Sequence, residues 1–286
     1  MNDTPRSPFQ RPQTLDKCLL LLGDGTWTII AGCTLYYLDW RSHPFTDQLL
    51  DISAIDELRE IAVDADQVRL GALATWTDIA RATLPRECLP LQQAARRVGA
   101  TQIQNVGTLG GNLCGAAANA DGIPPLLIAD AEVELRAADR SRTLPLAAFL
   151  RGNRQTARDP DELLTAIIVP RRHFAHAGVY LKLARRAYQG VAIVSVAARL
   201  GRDADGRIAT AGVAIGGCAA VAQRLPGLEW RLVGQPMGGD LDALFHPDSD
   251  LAPLTPMTDA MATANYRLDA AATLVRRALH SLQRTS

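Results

Sequence analysis

Thr101–Asp121 reads TQIQNVGTLGGNLCGAAANAD, with four glycines, three asparagines and almost no charge. Glycine weakens helices and strands alike, and asparagine favours turns, so the composition predicts a loop. Gly107, Gly110 and Gly111 lack a Cβ, so their N–H groups can approach a large ligand or take positive φ. Successive N–H groups in such a turn form a concavity suited to an anion such as a pyrophosphate. Thr108 and Asn112 can add side-chain hydrogen bonds. Taken alone, the same stretch also fits a glycine-rich crossing between two packed layers.

A second element of this kind lies upstream, at Trp27–Leu35 (WTIIAGCTL). Trp27, Ile29 and Ile30 predict a short buried strand. Ala31, Gly32, Cys33 and Thr34 predict a tight turn, and the run LYYLDW predicts a helix. Such a strand–turn–helix presents backbone N–H groups to phosphate oxygens. Two turns of this type could hold a dinucleotide from both sides. Neither is the Rossmann G-x-G-x-x-G fingerprint or a Walker A loop.

The rest of the chain narrows the function class. Its 286 residues are 48% hydrophobic, enough for two domains with cores, and 30 basic residues balance 30 acidic ones. No charged field points to nucleic acid. Lys17 and Lys182 are the only lysines among many arginines, which singles out Lys182. Cys18, Cys33, Cys88, Cys114 and Cys218 are scattered and form no C-x-x-C. They are expected to be small buried hydrophobes in a reducing, cytoplasmic setting. His173 and His176 have no carboxylate or cysteine near them in sequence, so their spacing does not point to a metal. The first residues carry no apolar signal core, and no stretch is pure enough to span a membrane. There is no G-x-S-x-G, no H-E-x-x-H and no nucleophile–base set. A cofactor-like cradle without acid–base machinery points to electron transfer, where the cofactor carries the reaction.

Local patterns predict an extended arm over residues 1–13 and a helix over Thr14–Leu22 capped by Thr14. A helix is also expected over Trp76–Ala82 behind Thr75, with others at Leu91–Val98, Pro124–Asp130, Pro226–Val233 and Ala262–Leu282. Strands are expected at Leu49–Ile52, Val68–Leu73, Val133–Arg136, Leu163–Val169, Val179–Leu183 and Ile208–Gly217. Val191–Leu200 fits a strand or a buried helix, since its periodicity does not decide. Glu132 and Glu134, and the polar run 152–159, are expected to be solvated.

Taken in order, RPQTLDKCLLLL, IIAGCT, LLDISAIDELREI, LGALATWTDI, QIQNVGTLGGNLC, DGIPPLLIADAEVEL, DELLTAIIVP, YLKLARR, AIGG and TDAMATANYR span nearly the whole chain. In that order and spacing the chain resembles the FAD-binding medium subunit of the molybdenum hydroxylases, the xanthine dehydrogenase and carbon monoxide dehydrogenase group. The resemblance implies an α+β protein. A two-lobed FAD-binding domain of the vanillyl-alcohol-oxidase (PCMH) type would occupy 1–175, with lobes meeting near residue 60. An α+β C-terminal flavin-subunit domain would occupy 176–286.

By the same resemblance, Ala31, Gly32, Cys33 and Thr34, then Thr108, Gly110, Gly111 and Asn112, hold the FAD pyrophosphate. Asp121 would meet the ribityl and phosphate region, Leu164 the flavin or adenine edge, and Lys182 the flavin ring. The function implied is electron relay. A [2Fe–2S] small subunit with two clusters would feed FAD in this chain, and NAD+ or another acceptor would drain it. A large subunit would hold the molybdenum cofactor, in a heterotrimer or a dimer of heterotrimers. Two departures stand out. Leu35 takes the place of an aspartate in the family's AGGTD turn, and Gly115, Ala117 and Ala118 replace residues with hydroxyl donors. They leave open a scaffold that has lost FAD. A stand-alone flavin oxidoreductase is a further alternative.

Overall fold

The computed structural model describes residues 9–39, 48–171, 175–186 and 190–284. His43 and His173 fall outside them, as does the side chain of His176, so the metal expectation at 173–176 lies outside the described residues. Of the predicted arm, residues 1–8 also lie outside. The remainder is not free, because Phe9–Gln10 forms a strand (β1).

The chain begins with a small parallel α/β unit. Helix α1 (Leu15–Gly23) starts at Thr14, whose side chain accepts from the Lys17 N–H. Leu15, Cys18, Leu19 and Leu22 recur at helical spacing and are buried, which is the pattern that anchors an amphipathic helix. They pack on β2 (Thr28–Ile30) and β3 (Leu49–Asp51), with Trp27, Leu50, Ile52, Ile55 and Leu58 in the same core. Both β1 and β2 run parallel to the central β3. Between β2 and β3 lies a one-turn helix, α2 (Tyr36–Asp39).

The second unit is an antiparallel sheet with helices inserted between its strands. It contains β4 (Ile61–Val63), β5 (Gln67–Gly71), β6 (Glu132–Arg136), β7 (Ser141–Pro145) and, further on, β10 (Leu163–Pro170), in spatial order β4-β5-β10-β6-β7. Between β5 and β6 come α3 (Trp76–Arg81), α4 (Leu89–Ala95), α5 (Thr101–Val106), α6 (Leu109–Gly115) and α7 (Ile123–Ile128). Thr75 and Asp78 close a reciprocal capping box on α3. A one-turn helix, α8 (Leu146–Phe149), and a small hairpin, β8 (Leu150–Gly152) with β9 (Gln155–Thr156), lead into β10.

The third unit is the sheet β11 (Ala175–Ala184), β12 (Ala192–Arg202), β13 (Ile208–Gly216) and β14 (Gln223–Arg224). It is followed by α9 (Pro226–Leu232), α10 (Pro247–Asp250) and the long α11 (Ala264–Arg284). Strand β12 settles the ambiguity at 191–200. It lies between two antiparallel neighbours, with α11 and α7 both packing on it. Burial from Ala192 to Gly201 is continuous, so no alternation survives in the sequence.

Two polar expectations hold only in part, since Glu132, Glu134 and the run 152–159 are exposed or half-buried but several of them are also bonded within the protein. Glu134 is half-buried and paired: Arg69 grips it through two bonds of 2.9 Å, and the Thr165 hydroxyl donates to it at 2.5 Å. In the run 152–159, Arg158 donates to the Glu162 carbonyl, and the Asp159 N–H donates to the buried Glu162 carboxylate. Arg142 holds that carboxylate at 2.7 and 2.8 Å and keeps it below the usual carboxylate range. Among the described residues no helix is long and apolar enough to cross a membrane, and no His/Cys/Asp/Glu group could hold a metal.

Candidate cofactor site

The two small-residue bends meet. A Cβ built on Gly32 would lie 1.8 Å from the Val106 carbonyl oxygen and 3.1 Å from the Gly107 Cα. Only glycine lets the backbone after β2 touch the backbone between α5 and α6. In this first bend Cys33 takes a left-handed conformation, φ 56°, and its carbonyl accepts the Tyr37 N–H to begin α2. The N–H groups of Gly32, Cys33 and Thr34 donate to no protein acceptor among the described residues. Ala31, Gly32, Cys33 and Thr34 are all half-buried. Free, adjacent N–H groups at the entry to a helical turn are what a diphosphate oxygen requires.

The second bend corrects the expectation of a loop. Thr101–Gly115 is largely helical, as α5 and α6 joined through Gly107 and Thr108. Leu109 donates to the Ala74 carbonyl and Gly110 to that of Ala72, at 2.9 and 2.8 Å. Thr108 caps α6 by accepting the Gly111 N–H at 3.1 Å. A Cβ on Gly110 would fall 2.8 Å from both the Ala72 Cβ and the Ala72 oxygen. Glycine is therefore needed here for α6 to lie on the backbone after β5, and that contact offsets its poor helix propensity. None of Gly107, Gly110 and Gly111 takes positive φ; the left-handed positions fall at Cys33 and at Ala116, φ 40°, which ends α6. Asn112 accepts the Gly122 N–H at 3.2 Å, which ties α6 to the start of α7. The Thr108 N–H remains uncommitted among the described residues.

Asp121 and Lys182 come together from distant parts of the chain. Lys182 Nζ lies 2.8 Å from Asp121 Oδ2 and 3.0 Å from the Arg97 carbonyl, and only 3% of its side chain is exposed. The Tyr180 hydroxyl donates to Asp121 Oδ1 at 2.5 Å. Burial pushes the Asp121 carboxyl up, opposed by Lys182, Tyr180 and Arg97. Burial and the Asp121 charge push the Tyr180 phenol well above its usual range, so it stays protonated and donates. Lys182 is thus a paired, internal cation. Tyr180 is the member of this cluster that sequence reasoning passed over. A signal existed, since Tyr180 and Lys182 are two apart on a strand and so share a face.

Two carried-over residues sit differently. Leu164 is buried in the core, opposite Leu135 across β10 and β6. Leu35 lies against α6: a Cβ on Gly115 would come within 2.5 Å of the Leu35 Cδ1. The two departures at 35 and 115 are therefore a matched pair, a larger apolar side chain opposite a missing one. All five cysteines are free thiols. Burial pushes Cys18 and Cys88 to about 12 and Cys114 and Cys218 to about 11, where they are inert.

Residues 5–172 match the family model described as FAD binding domain in molybdopterin dehydrogenase, and residues 179–282 match CO dehydrogenase flavoprotein C-terminal domain. The nicotinate dehydrogenase FAD-subunit of Eubacterium barkeri is 31% identical over 73% of this chain and 73% of its own. The putative xanthine dehydrogenase FAD-binding subunit of Escherichia coli K12 is 28% identical, over 95% of this chain and 94% of its own. Among solved structures, carbon monoxide dehydrogenase from Hydrogenophaga pseudoflava superposes with a TM-score of 0.87 at 25% identity, covering 97% of each chain.

Proposed function

This chain belongs to the family of FAD-binding medium subunits of molybdopterin dehydrogenases, and from that premise we propose that it relays electrons through FAD within a molybdenum hydroxylase complex. The observation that carries the reading is the meeting of the bends at Gly32 and Val106, beside three N–H groups that are uncommitted among the described residues. The donor set fits a diphosphate. Gly32, Cys33 and Thr34 would supply most of the backbone hydrogen bonds, with Thr108 and the Asn112 side chain opposite. When bound, FAD can take electrons singly from iron–sulfur clusters and pass them on in pairs. Asp121 and Lys182 would flank the cofactor as a pair, so Lys182 offers a held donor more than a net charge.

Under this reading the clusters belong to a [2Fe–2S] small subunit and the molybdenum cofactor to a large subunit. The assembly is a heterotrimer or a dimer of heterotrimers. NAD+ or another acceptor is the electron sink, and five free thiols support a reducing, cytoplasmic setting. The full chain titrated with FAD should quench flavin fluorescence and gain the visible flavin bands. It should also co-purify with an iron–sulfur chain. A chain that stays colourless with saturating FAD would favour a second reading, a scaffold subunit, for which the Leu35–Gly115 packing is the supporting observation.

A further inference from the structure

The segment between α6 and α7, residues 116–122, is held from the four-stranded sheet at two places. The Gly217 N–H donates to the Ala118 carbonyl at 2.7 Å. Tyr180 and Lys182, neighbours on one face of β11, grip the two oxygens of Asp121. The segment is also tied back to α6, through the Gly122 N–H and Asn112 Oδ1. Tyr180 is buried among residues of the preceding sheet's core, not among those under α11. Its backbone N–H is held by Gln93 Oε1, at the end of α4, at 2.7 Å. Tyr180 is therefore held at its backbone and at its hydroxyl. A buried carboxylate with both oxygens held by donors from one strand is a strong constraint, because charge-assisted bonds are short and directional.

We propose that Tyr180 is a positioning residue of the cofactor site: together with Lys182 it clamps Asp121 from β11 and so fixes the 116–122 segment against α6. Through this clamp the four-stranded sheet sets the shape of a cradle to which it contributes no glycine turn. The proposal rests on the FAD reading for its consequence, but not for the clamp itself. The groups facing Asp121 are Tyr180 and Lys182 from β11 and Arg97, two residues beyond α4.

The test compares the full wild-type chain with Tyr180→Phe and with Leu232→Ala, a core variant on the far side of the sheet. Hydrogen exchange is measured without FAD, and FAD affinity is measured across the acid and neutral range. Tyr180→Phe should speed amide exchange selectively in 116–122 and weaken FAD by about tenfold, the scale of one charge-assisted hydrogen bond. With one donor gone, Asp121 protonates at higher pH, so the acid limb of the affinity profile should move upward in Tyr180→Phe. Leu232→Ala should destabilise the chain without either effect. Wild-type exchange in 116–122 for Tyr180→Phe overturns the clamp. So does a uniform loss that matches Leu232→Ala. Exchange that responds as expected while FAD affinity and its pH profile stay unchanged overturns the positioning role. A wild-type chain that binds no FAD rejects the FAD reading and with it that role, while the exchange result still decides the clamp. If Tyr180→Phe does not fold, Asp121→Asn is read by the same two measurements.

Discussion

At 31–34 the backbone turns with the N–H groups of Gly32, Cys33 and Thr34 uncommitted among the described residues, whereas at 107–112 nearly every N–H is already bonded within the protein. Both stretches are rich in small residues, and from sequence both read as cradles. Small residues have different causes in the two. The first bend stays open because its strand ends at Ile30 and its helix is a single turn. Its only severe contact is Gly32 on Val106. The second bend is closed because α6 must sit on Ala72, and its glycines serve that approach. One bend supplies donors and the other supplies the wall behind them.

The largest break in this comparison is Gly32→Ala. A methyl group 1.8 Å from the Val106 oxygen cannot be accommodated by a rotamer change, because the obstacle is backbone. The bends must separate, at a cost of about 3 kcal/mol, the upper end for overpacking. FAD binding should be lost with it, read by flavin fluorescence and by a fall in the thermal midpoint. Gly110→Ala is the milder counterpart. Its methyl group would press on Ala72 at 2.8 Å, but alanine is a better helix former than glycine. The expected net cost is about 1 kcal/mol by thermal unfolding, with FAD affinity reduced only modestly. If Gly110→Ala abolishes FAD binding while Gly32→Ala does not, the roles of the two bends are reversed.

The caps at Thr14 and Thr75 were legible because capping is local: a hydroxyl, a helix start and a partner three residues on. The helicity of 101–115 was not, because its decisive contact is with Ala72, far along the chain, and no local pattern encodes it. Strand β12 was ambiguous for a related reason, since burial on both faces erases the period that distinguishes strand from helix. In the site, composition singled out Lys182, the resemblance supplied Asp121, and only the coordinates joined them and added Tyr180. Leu164 shows the opposite case. A position carried over from a family transfers a backbone location, and here the side chain turns inward to the core.

Thr108→Ala sharpens the comparison at smaller scale. If the hydroxyl serves only to cap α6, its loss should lower stability by about 1 kcal/mol and release the Gly111 N–H. FAD affinity should then hold, and Thr108→Ser should restore the thermal midpoint. A drop in affinity larger than the drop in stability would assign the hydroxyl to the cofactor as well.

The smallest effect, and the only one of opposite sign, belongs to Cys33. Its φ of 56° is a conformation that costs a residue with a Cβ about 1 kcal/mol and costs glycine almost nothing. Cys33→Gly removes that strain but also loosens the unfolded chain, so the net gain should be at most about 0.5 kcal/mol. The bend would keep its open N–H groups, since none of them depends on the thiol, which donates to the Ala31 carbonyl. FAD affinity should therefore be unchanged or slightly higher, with the thermal midpoint raised by a degree or so. A clear loss of affinity would mean that the thiol itself, and not the shape of the backbone, meets the ligand at this corner. The first bend would then have to be described by its side chains, as the second already is.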